Sequence, residues 1–193
     1  MRRLRLVACV AGIAMTAALA SACGGGQVAQ AADPPSLATY NSNGLSFRHP
    51  AAWKEYPFRW AGELHFQPIV YLSTQPVHDP CSTKGDTTTC GLPIRHLRPG
   101  GVLVVWQNPY VFPGATLGSA GAPMRVGGRP ARRTTTSGGV CRRVGADRTI
   151  DVLIKSRPTP NLIEATACLR GPNLAQNARR VNALLASTRF QAS

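Results

Sequence analysis

Apolar and polar residues alternate over much of the chain from residue 44 onward, at the period of a half-buried strand. Leu45 and Phe47 alternate with Ser46 and Arg48. Pro50 withdraws a backbone donor and ends that strand in His49-Pro50-Ala51-Ala52-Trp53. Over 63–73 the apolar positions Leu64, Phe66, Val70 and Leu72 share a face, and Pro68 requires an edge position or a bulge. The segment 101–106 is a compact run of valine and leucine ending in Trp106. Four short strands are predicted at 129–136, 139–144, 148–155 and 162–169. Their separators, Ser137-Gly138, Gly145-Ala146-Asp147 and Arg157-Pro158-Thr159-Pro160, carry turn residues, so this half reads as an antiparallel meander.

The period changes to that of a helix only near the end. Leu174, Ala178, Val181 and Leu185 repeat at helical spacing, Leu184 widens the stripe, and Arg179 and Arg180 fall on the polar side. Asn173 stands at the N-cap position, and Phe190 is placed to pack back onto the core. The fold class that follows is α+β: an antiparallel β-sheet of about six to eight strands with a C-terminal helix packed on one face. A single domain is expected over 38–193, with a proline-rich insertion at 74–99.

The first 37 residues have a different pattern. Arg2, Arg3 and Arg5 precede an apolar run from Leu6 to Ala22. This charged, apolar, small-residue order is that of a secretory signal, and the run is shorter than the roughly 20 apolar residues of a membrane-spanning helix. Leu19-Ala20-Ser21-Ala22-Cys23 resembles a bacterial lipobox, with Ala20 where that motif has leucine. The resemblance implies a signal peptide over 1–22, diacylation of Cys23 and attachment to the outer face of the cytoplasmic membrane. Residues 23–37, rich in Gly, Gln, Ala and Pro, then form a flexible tether. Ala20-x-Ala22 and Ala29-x-Ala31 also fit ordinary signal cleavage, so secretion is the alternative.

Export bears on the cysteines. Setting aside Cys9 in the leader and Cys23, four remain: Cys81, Cys90, Cys141 and Cys168. An even number in an exported chain reads as disulfides, with three possible connectivities. Cys81–Cys90 closes a short polar loop. Cys141 and Cys168 each point away from the apolar face of a predicted strand, which favours pairing them. The competing reading takes His78, Cys81, Cys90 and His96 as a zinc site, but an oxidising compartment favours the disulfide and the spacing matches no familiar zinc module. No cofactor is expected.

The chain carries 22 Lys and Arg against eight Asp and Glu, a formal charge of +14. Without the three leader arginines it is +11. Export excludes nucleic acid and leaves anionic lipid, an acidic wall polymer or another envelope protein as partners. Arg125, Arg129, Arg132, Arg133, Arg142, Arg143 and Arg148 crowd together. Pairing of strands 129–136 and 139–144 would gather them into an anion-binding face; a solvated edge that resists aggregation is the plainer reading.

Catalytic motifs are missing. Leu117 stands where a G-x-S-x-G elbow around Ser119 needs glycine, and there is no H-E-x-x-H, P-loop or dinucleotide fingerprint. The eight mature acids are scattered. His78-Asp79 is the one adjacent imidazole–carboxylate pair, so the enzymatic alternative is an envelope hydrolase using His78 or His96 with Asp79 or Glu63. His49 and His65 read as surface or strand-edge residues, and Trp53, Trp60 and Trp106 as packing.

The segment from Gly44 to Trp53, an aromatic-bearing strand closing in Pro-x-x-Trp, resembles the opening of PsbP-like domains. The close Ser187-Thr188-Arg189-Phe190 after the helix is similar too. Ala167-Cys168-Leu169-Arg170-Gly171-Pro172 is similar to a segment of small actinobacterial lipoproteins of unknown function. These resemblances imply the sandwich fold and a non-catalytic binding or accessory role; the cysteine-bearing insertion departs from the PsbP-like pattern.

Overall fold

The computed structural model describes residues 36–58, 66–109, 116–155 and 162–191. The expected signal peptide, Cys23, most of the tether, Trp60, Glu63 and His65 lie outside them.

A seven-stranded sheet dominates. In order across it lie β3 (Lys54–Pro57), β4 (Phe66–Ser73), β7 (Val102–Pro109), β11 (Leu162–Leu169), β10 (Arg148–Lys155), β9 (Arg129–Thr136) and β8 (Ala122–Val126). Every neighbouring pair is antiparallel. The run of valine and leucine in β7 is buried from Val102 to Trp106, as suits a central strand covered on both faces. Pro68 sits beside a register shift to Val70, so of its two expected accommodations the bulge is the one used.

A smaller sheet joins β1 (Leu37–Ser42), β2 (Leu45–Pro50) and β12 (Arg189–Phe190). The turn between β1 and β2 is Asn43-Gly44, both at positive φ (51° and 71°), the geometry that lets two strands reverse in two residues. The one α-helix among the described residues, α1 (Leu174–Ser187), packs on β2 and β11. Val181, Leu184 and Leu185 are its buried residues of the expected stripe. The Asn173 side chain makes no capping hydrogen bond; its carbonyl accepts from Asn177 N–H at 2.9 Å. The fold is α+β, mainly antiparallel sheet with a C-terminal helix packed on it.

Two apolar layers flank the large sheet. One lies under α1 and the small sheet and contains Phe47, Trp53, Val104, Trp106, Val152, Ala165 and Leu184. The other covers the opposite face with Tyr71, Ile94, Leu97, Leu103, Val105, Cys141, Val144 and Cys168. The insertion after β4 builds much of this second layer. Gln75 clamps its ends, donating to His96 O at 2.9 Å and accepting from Arg98 N–H at 2.9 Å. Ile94 and Leu97 anchor it to the sheet.

The meander is corrected at one element. Residues Val140–Val144 form a 3₁₀ helix, not a strand. Gly139 and Gly145 bracket it at φ 72°, a backbone region that strands do not use. The spacing of Cys141 and Val144, both buried, is the one-turn repeat of that helix. Strand β9 therefore pairs directly with β10, Ala131 opposite Ile154 and Thr136 opposite Thr149.

Candidate functional site

The sheet face away from α1 holds a cleft with a volume of about 750 Å³. Its floor is Val105 and Gln107 of β7 with Glu164 and Thr166 of β11. One wall is the 3₁₀ helix, through Val140, Arg143 and Val144. The insertion roofs it with His78, Cys90, Leu92, Ile94 and Arg95.

Strand alternation explains the floor. Ala165 and Ala167 point toward the α1 layer, so Glu164, Thr166 and Cys168 point into the cleft side. Register places Gln107 opposite Glu164, and Thr166 opposite both Val105 and Asp151. A polar row results. Gln107 Nε2 donates to Glu164 Oε2 at 2.6 Å. Thr166 Oγ1 donates to Asp151 Oδ1 at 2.8 Å and lies 3.5 Å from Glu164 Oε1. One hydroxyl proton thus stands between two carboxylates from adjacent strands.

Neither carboxylate has a cationic partner among the described residues. Among the described residues the one acid–base contact of ion-pair type is His49–Glu55, elsewhere in the fold. Burial accordingly holds the Asp151 carboxyl above the usual carboxylate range, a rise partly offset by the Thr166 hydrogen bond. The raised value means that the folded protein keeps this proton to a higher pH than the unfolded chain. Stability from this group is therefore full below the unfolded value and is lost as pH rises through the folded one. Asp151→Asn, which still accepts from Thr166, is expected to melt higher than the parent at pH 7. That advantage should shrink at pH 3, where both side chains are neutral. Thermal melts at the two pH values check this; a variant less stable at pH 7 would show the carboxylate to be well satisfied.

The cysteines pair as favoured from the sequence. Cys81–Cys90 joins opposite positions of a hairpin formed by β5 (Cys81–Lys84) and β6 (Thr87–Cys90), with Cα atoms 4.0 Å apart. Cys141–Cys168 ties the 3₁₀ wall to β11, with Cα atoms 5.3 Å apart. Both bonds hold the frame of the cleft. Cys81 and Cys90, bonded to each other, leave no thiolate for the zinc reading, and His96 lies against Arg170.

The arginines are not gathered as expected, because the strand pairing that would gather them does not exist. Adjacent residues of β9 face opposite ways. Arg133 donates to Asn182 of α1 at 2.7 Å, whereas Arg132 donates to Gly121 O at 3.1 Å. Arg129 stacks over the Phe190 ring at 4.0 Å. Arg148 opens β10, opposite Leu169. Arg142 and Arg143 sit exposed on the 3₁₀ helix, where Arg143 and Arg95 of the insertion flank the cleft.

The histidines are spread as well. His49 is not a surface residue: it is 2 % exposed, with its ring against Pro50 O and Glu55 Oε1. His78 reaches the cleft, while neighbouring Asp79 turns to accept from Cys81 N–H at 2.9 Å. Asp79 also adds to the burial that holds the Tyr71 phenol well above its usual range. Trp53 and Trp106 are core residues, as expected.

The residues that shape the floor were not singled out from the sequence. Glu164, and Asp151 behind it, appeared there only as scattered acids, and Gln107 and Thr166 not at all. The available signal was polar side chains at strand positions whose neighbours are all apolar, as Thr166 is between Ala165 and Ala167. No protein-family model matches the chain, and no curated protein sequence matches it.

Proposed function

We propose that this chain is an exported, lipid-anchored envelope protein acting as a non-catalytic binding module, with its ligand site in the cleft on the helix-free face of the sheet. The cleft itself carries the reading. Its volume of about 750 Å³ falls within the roughly 300–1,000 Å³ of small-molecule sites. Apolar walls with a few convergent polar groups are the usual composition of such sites. Export is supported by the N-terminal pattern and by two disulfides that frame the cleft. The PsbP-like resemblance supports a binding role over a catalytic one. The dispersed histidines weigh against the hydrolase alternative, since an acid–base site needs an imidazole and a carboxylate within hydrogen-bond reach of one substrate.

Val140 lines the cleft and is 44 % exposed, so a larger side chain there can block the site without entering the core. The apolar probe 1-anilinonaphthalene-8-sulfonate is expected to brighten on the native mature protein. Val140→Trp should reduce that enhancement several-fold at an unchanged melting temperature. Equal enhancement in both proteins would place the probe elsewhere and remove the cleft from the proposal. Intact mass of membrane-purified protein checks the anchor: diacylglycerol on Cys23 is expected, and an unmodified chain beginning after Ala31 would mean secretion.

A further inference from the structure

The cleft is bipolar. Arg95 and Arg143 flank it on the insertion and the 3₁₀ wall, whereas Glu164 lies on its floor beside Asp151. Apolar side chains, among them Val105, Ile94 and Val144, line the same cleft. Acids are scarce in this chain, eight against 22 lysines and arginines. Two of the eight nevertheless come together here, Glu164 on the floor and Asp151 behind it, both within reach of the Thr166 hydroxyl, and no lysine or arginine pairs with either among the described residues. In so basic a protein a cationic partner was easily supplied from within. Two half-buried carboxylates without one cost the fold, and a cation arriving from solution would offset that cost.

Resting on the cleft as the ligand site, we infer that it takes a small zwitterionic amphiphile. The protonated amine lies against Glu164, with Asp151 behind the Thr166 hydroxyl, the apolar body along the walls, and the acidic group beside Arg95 and Arg143. A metal ion suits the floor less well: hard divalent cations want about six or more oxygen ligands, and this floor opens onto apolar walls. An amine needs only two or three acceptors, which Glu164, the Gln107 amide oxygen and the Thr166 hydroxyl oxygen supply.

Three eight-carbon probes separate the parts: 8-aminooctanoate, octylamine and octanoate, titrated calorimetrically into the mature protein. The zwitterion is expected to bind about tenfold or more tightly than octanoate, with octylamine between them. Glu164→Gln keeps the floor's shape and should weaken both amines about tenfold while leaving octanoate no weaker. Arg143→Gln, at an exposed position, should weaken 8-aminooctanoate and octanoate but not octylamine. Val140→Trp should weaken all three. Octanoate binding as tightly as octylamine, or octylamine indifferent to Glu164→Gln, overturns the ligand class. If anilinonaphthalene sulfonate still depends on residue 140 in that case, the cleft stands and only its ligand is wrong. If the amine preference survives Val140→Trp intact, the placement in the cleft is wrong.

Discussion

Phe47→Ala is expected to lower the free energy of unfolding by about 3–5 kcal/mol, the range for truncating a buried aromatic side chain. Phe47 is 1 % exposed and links the two sheets. Its ring stacks on Tyr40 of β1 at 5.0 Å between centroids and on Trp106 of β7 at 5.4 Å. His49 meets its edge at 6.0 Å. Truncation leaves a hole between layers that are each tied to backbone ladders, so neither can collapse to fill it. A domain of this size is stable by only about 5–15 kcal/mol, so the variant should lose a large share of its margin. Urea denaturation at constant slope measures it, with Phe47→Leu expected to cost clearly less. A loss under about 1 kcal/mol would mean that the small sheet is held by α1 and β12 rather than through this stack.

That stack was half legible in the sequence. The alternation of Leu45 and Phe47 marks a strand with one buried face, and the valine-rich run ending at Trp106 marks a central one. The partner strand β1 also left a signal, since Asn43-Gly44 is a two-residue hairpin turn, but the few apolar residues before it blend into the tether. Helix α1 was readable because Val181, Leu184 and Leu185 repeat at a period that strands do not have. The 3₁₀ helix was misread for the converse reason. Val140 and Val144 are four apart, a spacing that satisfies alternation and helix alike, and five residues are too few to tell them apart.

The cleft was illegible for a different reason. Gln107 and Glu164 are 57 residues apart, and Asp151 and Thr166 are 15 apart. Only the β7–β11–β10 register brings the four together. No spacing rule encodes that register, because each pairing depends on turns and apolar matches elsewhere in the sheet. The arginine cluster shows the opposite error. It is dense in sequence, yet alternation sends Arg132 and Arg133 to different faces of the sheet.

Removing the Cys141–Cys168 bond should both destabilise the domain and dismantle the site, whereas removing Cys81–Cys90 should do less of each. The bond between Cys141 and Cys168 spans 27 residues, and the chain-entropy model gives about 3.5 kcal/mol for a loop of that length. The nine-residue separation of Cys81 and Cys90 gives about 2.5 kcal/mol. Their surroundings widen the gap. Cys141 and Cys168 are fully buried in the layer beneath the cleft, while the β5–β6 hairpin is largely exposed. Its own ladder and Asp79–Cys81 hydrogen bond persist without sulfur. Cys141→Ala with Cys168→Ala should therefore show a large drop in denaturation midpoint and a several-fold loss of anilinonaphthalene sulfonate enhancement in the still-folded fraction. Cys81→Ala with Cys90→Ala should keep most of both. The physical difference is what each bond restrains. The first holds the short 3₁₀ helix, flanked by Gly139 and Gly145, against β11; without it, the wall bearing Val140, Arg143 and Val144 has few other anchors. Full probe binding in the Cys141–Cys168 double variant would mean that Val144 and the Leu97 N–H bond to its carbonyl suffice to hold that wall.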